Sequence, residues 1–333
     1  MDRRTFLKGS ALTAAGLSIV PRHVLGGPGY QAPSDTLNIA GIGVGGRGAS
    51  NLNAMTSENI VAICDVDYRH VDRTLRTRDG AVAERFAALH EAYEQAERYA
   101  DFRRMLDDLA GTLDAVVVST PDHLHAVAAM EALQRGLHVY VEKPLTRTVR
   151  EARALRDAAD TQDVVTQMGN QGHTHADGRR AIEWVWDGAI GTVQEIHAWT
   201  DRPANWWPQG VSRPDDSMTP PDGLRWDLFL GPAPTVPYHS AYHPFRWRGW
   251  IDYGTGALGD MGTHILDHAV WALDLGAPPE VWASSNGFGR DDAERVSWPS
   301  VETVHYAFGR GGRAPVTLTW YDGGLLPPRP QAL

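Results

Sequence analysis

Residues 37–52 read LNIAGIGVGGRGASNL, an apolar run that stops in glycines and resumes as a segment able to form a helix. A buried strand, a tight turn and a helix start are what this order of residue types predicts. Two registers fit G-x-G-x-x-G: Gly41/Gly43/Gly46 and Gly43/Gly45/Gly48. The first puts the turn inside the apolar run. The second lets strand Leu37–Ile42 end before Gly43, with the helix starting near Ala49, and is preferred. Gly43 then permits the turn, Gly45 lets backbone approach a pyrophosphate, and Gly48 lets the helix pack on the strand. The N–H groups of Gly46 and Arg47 at the helix start suit phosphate oxygens. Asp65, twenty-two residues after Gly43, ends the next apolar run, NIVAIC (59–64). An acid there can accept both hydroxyls of an adenosine ribose and repels a 2′-phosphate, which favours NAD over NADP. Arg47 and Arg69 keep NADP open.

Outward from this loop, buried runs alternate with helical stretches. After NIVAIC, residues 68–100 are charged, Ala-rich and helical in character. Asp114–Ser119 and His138–Val141 predict two more strands, with a helix over Ala126–Arg135 between them. Thr148–Ala159 reads as a helix and Val164–Met168 as the last strand of the series. Continuous apolar strands separated by helices imply an α/β Rossmann domain with a doubly wound parallel sheet, assigned to residues 35–170. Beyond it the composition changes: all 12 tryptophans lie at or after Trp184, and Pro and Gly crowd residues 203–256. Val193–Thr200, Thr303–Phe308 and Pro315–Trp320 alternate as antiparallel strands do. Residues 171–333 are therefore expected to form an α+β domain with an open, mainly antiparallel sheet.

The first 29 residues differ from both domains. Arg3, Arg4 and Lys8 precede the small or apolar run 9–20, and RRTFLK resembles a twin-arginine export signal. These residues carry a local +3, so the remainder is more acidic than the −10 of the whole 333-residue chain. Such a surface argues against nucleic acid or anionic lipid as partner. Cys64 is the sole cysteine, which excludes an internal disulfide framework and suits folding in a reducing cytoplasm before export to the periplasm.

Two further stretches carry chemistry: STPDHLH (119–125) with VYVEKPL (139–145), and GTGALGDMGTHILDHAVWAL (254–273). Lys143 follows a strand at its carboxyl end, the edge where open parallel sheets bind ligands. Partly desolvated beside a nicotinamide, it suits proton exchange; a surface ion pair is the plainer alternative. Asp260 and His264 share a helix face, where the carboxylate can orient the imidazole, as in either a catalytic pair or a core network.

Taken together, these motifs resemble the glucose–fructose oxidoreductase / inositol dehydrogenase / rhizopine-catabolism (Gfo/Idh/MocA) family, in matching order from Leu37 to Tyr321. The matching residues are Gly43–Gly48, Asp65, Thr120-Pro121-Asp122-His123-Leu124-His125, Glu142-Lys143-Pro144 and Gly254–His264. The resemblance implies a cofactor site including Thr120, Pro121, His123, His125 and Glu142, and Lys143 beside the nicotinamide, commonly placed by a cis Lys–Pro bond. It implies substrate contacts from Asp260 and His264, the latter as acid/base, and oligomerisation through the outer face of the C-terminal sheet. An exported branch of the family is the best likeness, on QMGNQGH (167–173), WRGWIDYGTGALGDMG (247–262) and WYDGG (320–324). Family members run on well past this last motif, so the second domain is expected to be truncated.

On the substrate side, Trp206, Trp207, Trp247 and Trp250 lie in Pro/Gly-rich loops with Arg202, Arg246, Arg248, Asn205 and Gln209. Flat aromatics beside planar hydrogen-bonding groups suit a sugar or cyclitol. Gln171, His173, Trp206, Trp247, Arg248 and His268 are the candidate substrate residues, one or two tryptophans being expected to line the pocket. No tight ligand spacing supports a metal among the histidines. The leading expectation is an exported oxidoreductase with a tightly held NAD. The alternatives are a glycosidase working by transient oxidation, elimination and reduction, an oxidoreductase coupling two sugars, and a nucleotide-retaining binding protein.

Overall fold

The computed structural model describes residues 32, 35–287, 295–310 and 313–329. The candidate export signal, residues 1–29, lies outside the described residues.

Leu37–Ile42 becomes strand β1 (Asn38–Ile42), and NIVAIC becomes β2 (Asn59–Cys64). β4 (Ala115–Val118), β5 (His138–Glu142) and β6 (Thr166–Gly169) complete the expected parallel series. One strand was not foreseen. Within the stretch read as helical, β3 (Glu97–Tyr99) pairs with β2 through Ala62–Glu97, Ile63–Arg98 and Cys64–Tyr99. Three residues, two of them charged, show no burial pattern, and only the edge of an existing sheet fixes them. The sheet order is β3-β2-β1-β4-β5-β6, all parallel, so the progression of strands across the sheet reverses between β1 and β4. That switch point is where an open α/β sheet leaves a crevice at the strand carboxyl ends.

Helices α1 (Arg47–Asn53), α2 (Tyr68–Leu75), α3 (Ala87–Gln95), α4 (Phe102–Asp108), α5 (Asp122–Leu133) and α6 (Val149–Gln162) cover the sheet. Fully buried Ala40, Val116, Val118, Ala128 and Ala132 pack one face, and Ile63, Leu52, Leu75 and Leu89 the other. α1 starts two residues earlier than Ala49, and α5 four earlier than Ala126. Pro121 and the acid Asp122 begin α5, the positions where a fixed φ and a negative charge favour a helix start. Thr148 caps α6 through a reciprocal bond with Glu151, which fixes that boundary.

The second half carries α7 (Ala176–Trp186), a short α8 (Trp226–Leu230), α9 (Gly256–Ile265) and α10 (Asp267–Leu273). Its sheet runs β7 (Glu195–Trp199), β10 (Arg313–Tyr321), β9 (Glu302–Arg310), β8 (Glu280–Ser285). β8–β9 and β9–β10 are antiparallel, but β7–β10 is parallel, contrary to the reading of β7 as antiparallel. Strand direction is set by the long connection from β7, which alternation alone does not reveal. β8 was also missed: all six of its residues are exposed, so it lacks the buried alternation of the others. A third core of Phe229, Tyr242, Trp247, Trp250 and Tyr253 sits beneath the loops, with Val66 from the end of β2 packed against it. Among the described residues no helix is long and apolar enough to cross a membrane.

Candidate active site

The strand ends, the first turn of α1, the loops after β7 and helix α9 enclose one cavity of about 990 Å³. Its Rossmann wall begins with the glycine loop. Gly43 has φ +82, and a Cβ there would stand 2.8 Å from the Ser119 and Thr120 backbone. A Cβ on Gly48 would run into the Gly43 carbonyl oxygen. Gly41, by contrast, lies inside β1, so the Gly43/Gly45/Gly48 register is the one adopted. No side chain caps α1 at Gly46, which leaves its first turn open towards the cavity lined by Gly45, Gly46 and Arg47.

Asp65 lines the same wall, and its carboxylate is also part of the loop's own scaffold. Oδ2 accepts from the Val44 and Gly45 N–H groups (2.7 and 2.9 Å), and Oδ1 from the Asp67 N–H (2.9 Å). Burial pushes its carboxyl up, partly offset by the three N–H donors. Asp67 receives His243 Nε2 at 3.0 Å and Arg69 Nε at 3.1 Å. Burial alone would push Asp67 up; these two donors reverse that and hold it well below the usual carboxylate range. This His243 contact ties a loop of the second domain onto the end of β2, and His243, Pro244 and Phe245 line the cavity there. The cradle therefore fits a dinucleotide: glycines admit close backbone approach, an uncapped helix start faces the cleft, and an acid stands at the ribose position.

At the other wall Lys143 leaves the end of β5, the Lys143–Pro144 bond being cis. Its Nζ donates to the Asp260 carbonyl oxygen at 2.7 Å and to Asp260 Oδ1 at 3.0 Å. α9 presents Leu258 and Ile265 to the sheet, Asp260 and His264 to the cavity, and Met261 to both. Burial alone would raise the Asp260 carboxyl; the Lys143 and Arg248 charges overcome this and hold it below its ordinary value.

One expectation fails here. Asp260 does not orient His264. The imidazole Nδ1 meets Asn170 Oδ1 at 2.9 Å, and Asn170 Nδ2 donates to the Thr263 carbonyl oxygen at 3.1 Å. With its amide N–H₂ occupied by a carbonyl, Asn170 presents oxygen to His264, so Nδ1 carries the proton and Nε2 is the basic nitrogen. Asn170 stands just after β6 within QMGNQGH, a stretch whose chemistry was not read from sequence. A second unforeseen residue is Asn51, which with Arg47 holds Glu142 Oε1, each at 3.2 Å.

Of the other candidates, Thr120, Pro121, His125, Glu142, Gln171, Trp206, Trp247 and Arg248 line the cavity. Of the loop tryptophans, Trp206 and Trp247 line it, whereas Trp207 and Trp250, at 5% and 1% exposure, do not. His125 is locked between the Pro144 and Thr120 carbonyl oxygens, both at 2.8 Å. His123, expected at the cofactor, does not line the cavity: it is buried, with its ring bonded to the Phe229 and Tyr253 carbonyls at 2.9 and 3.3 Å. Because α5 starts at Asp122, His123 falls on the turn facing the second domain. His173 and His268 also lie off the cavity lining; His173 bonds Asp267 and stacks on Trp271 with ring centroids 4.4 Å apart. Among the described residues, no group of three or more His, Cys, Asp or Glu could hold a metal ion.

Two family models match the chain: an oxidoreductase family with NAD-binding Rossmann fold over residues 37–170, and its C-terminal alpha/beta domain over 195–309. The chain belongs to the Gfo/Idh/MocA oxidoreductase family. It is 28% identical over 188 residues to levoglucosan dehydrogenase of Pseudarthrobacter phenanthrenivorans, covering 55% of this chain and 40% of that protein. To a glycosyl hydrolase family 109 protein of Shewanella pealeana it is 33% identical over 190 residues, 51% of this chain and 40% of that one. The chain thus spans less than half the length of these two curated relatives. Among solved structures, GenD2 from gentamicin A biosynthesis in complex with NAD superposes with a TM-score of 0.59 at 20% identity, covering 94% of this chain and 70% of that one. At that identity the likeness concerns the fold.

Proposed function

We propose that the chain is an NAD-dependent oxidoreductase that removes hydride from a carbinol carbon of a sugar or cyclitol. The observation that carries this reading is the convergence of Lys143, Asp260 and His264 on the same cavity as the glycine loop and Asp65. A nicotinamide dinucleotide held there supplies the two-electron hydride acceptor. The residues supply the proton chemistry. Lys143 Nζ, already donating to Asp260, is placed to donate to the substrate oxygen, and His264 Nε2 takes the hydroxyl proton as the alcohol becomes a ketone. One C–H bond and one O–H bond break, two electrons leave with the hydride, and the proton rests on Nε2.

Burial and then the Lys143 charge lower the His264 pKa from its ordinary 6.5. A base with a lowered value stays unprotonated down to more acidic pH. The acid limb of kcat/KM is accordingly expected below pH 6.5, and Asn170→Ala is expected to shift that limb as well as lower the rate. An acid limb at or above pH 7 would remove His264 from the role of base.

The cofactor is proposed to be NAD, held tightly. His243 from the second domain, buried against Asp67, straps the adenosine end of the cavity, and the Asp65 carboxylate opposes a 2′-phosphate. Mass spectrometry of small molecules released on denaturing the purified protein is expected to show NAD(H). His243→Ala is expected to lose it during dialysis several times faster. Protein that neither carries nor binds NAD(H) or NADP(H) would end the oxidoreductase reading.

Tight retention accords with export through the twin-arginine route, proposed from RRTFLK and the run behind it, because a folded chain can carry its nucleotide outward. A second reading, a redox-assisted glycosidase that regenerates its own cofactor, is favoured by the family 109 relative. Multiple-turnover aglycone release from a glycoside without added NAD distinguishes it from a simple dehydrogenase. Self-association through the C-terminal sheet is proposed from exposed Trp199 on β7 and Trp282 on β8, at 48 and 50% exposure.

A further inference from the structure

The second-domain wall of the cavity holds more positive charge than its acids answer. Asp260 is shared by three cations: Lys143 Nζ and Arg248 Nε lie 3.0 and 3.2 Å from Oδ1, and Arg202 Nη1 lies 3.7 Å from Oδ2. The four side chains are largely withdrawn from solvent, at 12, 21, 18 and 10% exposure for Lys143, Arg248, Arg202 and Asp260. The carboxylates that face it from the Rossmann side are committed. Glu142 accepts from Arg47, Asn51 and the Lys143 N–H, and Asp122 from the Thr255 N–H and hydroxyl.

Arg202 is the least committed of the three cations. Its guanidinium carbon stands 3.5 Å from the centroid of Trp206 and 5.3 Å from that of Trp207. Among the described residues its guanidinium has no hydrogen bond shorter than that 3.7 Å approach to Asp260. Arg248 is braced in the same manner, 4.3 Å over both Phe245 and Trp247, with Nη1 donating to the Phe245 carbonyl oxygen. Two guanidiniums held on aromatic faces beside one carboxylate, in a desolvated cavity, make a planar fork for an oxyanion. A neutral sugar would leave that surplus charge buried without a counter-charge, at a cost in desolvation.

We propose that the substrate is an anionic sugar, whose carboxylate or phosphate ester seats between Arg202 and Arg248 and directs a neighbouring carbinol to Lys143 and His264. This rests on the oxidoreductase reading for the reaction, and on the arginine geometry alone for the anion. Arg202 then sets specificity: its charge selects the acid, and its stacking on Trp206 fixes the fork.

The test uses the purified full chain with NAD present. Binding by calorimetry and NADH formation by absorbance are measured for glucuronate, galacturonate and glucose 6-phosphate against glucose, galactose and myo-inositol. At least one anionic sugar is expected to bind ten-fold or more tightly than its neutral parent, and carboxylate against phosphate is decided by which arm responds. Arg202→Gln is expected to weaken binding of that sugar, and raise its KM, about 10–100-fold. Its kcat and the NAD affinity should stay within about threefold, and Arg202→Lys should recover part of the loss. Neutral sugars binding as well as the acids, no acid binding at all, or Arg202→Gln weakening NAD by the same factor would each overturn the proposal. Acid binding with no reduction of NAD would leave the anion pocket standing and sink the hydride reading.

Discussion

Replacing Lys143 by methionine is expected to lower kcat by about 10²–10⁴-fold while leaving nucleotide bound. The charge is what is lost: methionine keeps an unbranched stem of similar length at the end of β5, and the glycine loop follows β1, which β4 separates from β5. Asp260 keeps Arg248 at 3.2 Å and Arg202 at 3.7 Å, so its buried carboxylate retains counter-charge and α9 keeps its place. The experiment reads turnover together with the nucleotide content of the same preparation. Unchanged turnover with NAD still present would show that Lys143 only ties β5 to α9.

Replacing Gly48 by valine is expected to abolish nucleotide binding and to cost about 3 kcal/mol or more of stability. A Cβ at this position meets the Gly43 carbonyl oxygen, a backbone atom that cannot rotate away as a side-chain end would. Gly43 in turn has no room to retreat, because it is packed against the Ser119 and Thr120 backbone at the end of β4. Either α1 lifts from the sheet or the loop opens, and both destroy the cradle. Calorimetric titration with NAD and a thermal melt report the two effects separately. A variant that binds NAD at wild-type affinity would show that the loop does not hold the pyrophosphate.

How much of this was legible in the residues depends on the range over which each signal acts. The Rossmann strands were readable because a strand buried on both faces must be apolar through its middle, as β1, β2, β4 and β5 are. The glycine register was readable because the two candidate positions of the turn differ in whether a strand can finish first. β3 and β8 were not readable, since the first is short and charged and the second exposed on all six residues. The parallel pairing of β7 with β10 depends on a chain path of more than a hundred residues, which periodicity does not carry.

At the site, the sequence by itself determined where Lys143, Asp260 and His264 stand on their own elements. Lys143 had to emerge at a strand's carboxyl end, and Asp260 and His264 had to share a helix face, because both follow from local geometry. Which partner each group takes was decided only by the tertiary structure. His264 is oriented by Asn170, 94 residues away in sequence, and Asp260 is claimed by Lys143 from 117 residues away. His123, adjacent to a cavity-lining turn, is diverted to the Phe229 and Tyr253 carbonyls of the other domain. The physical reason is the same in each case. A side chain's position along its own element is fixed by the backbone period, whereas its hydrogen bonds and charges are settled by whichever groups the packed elements bring within about 3 Å.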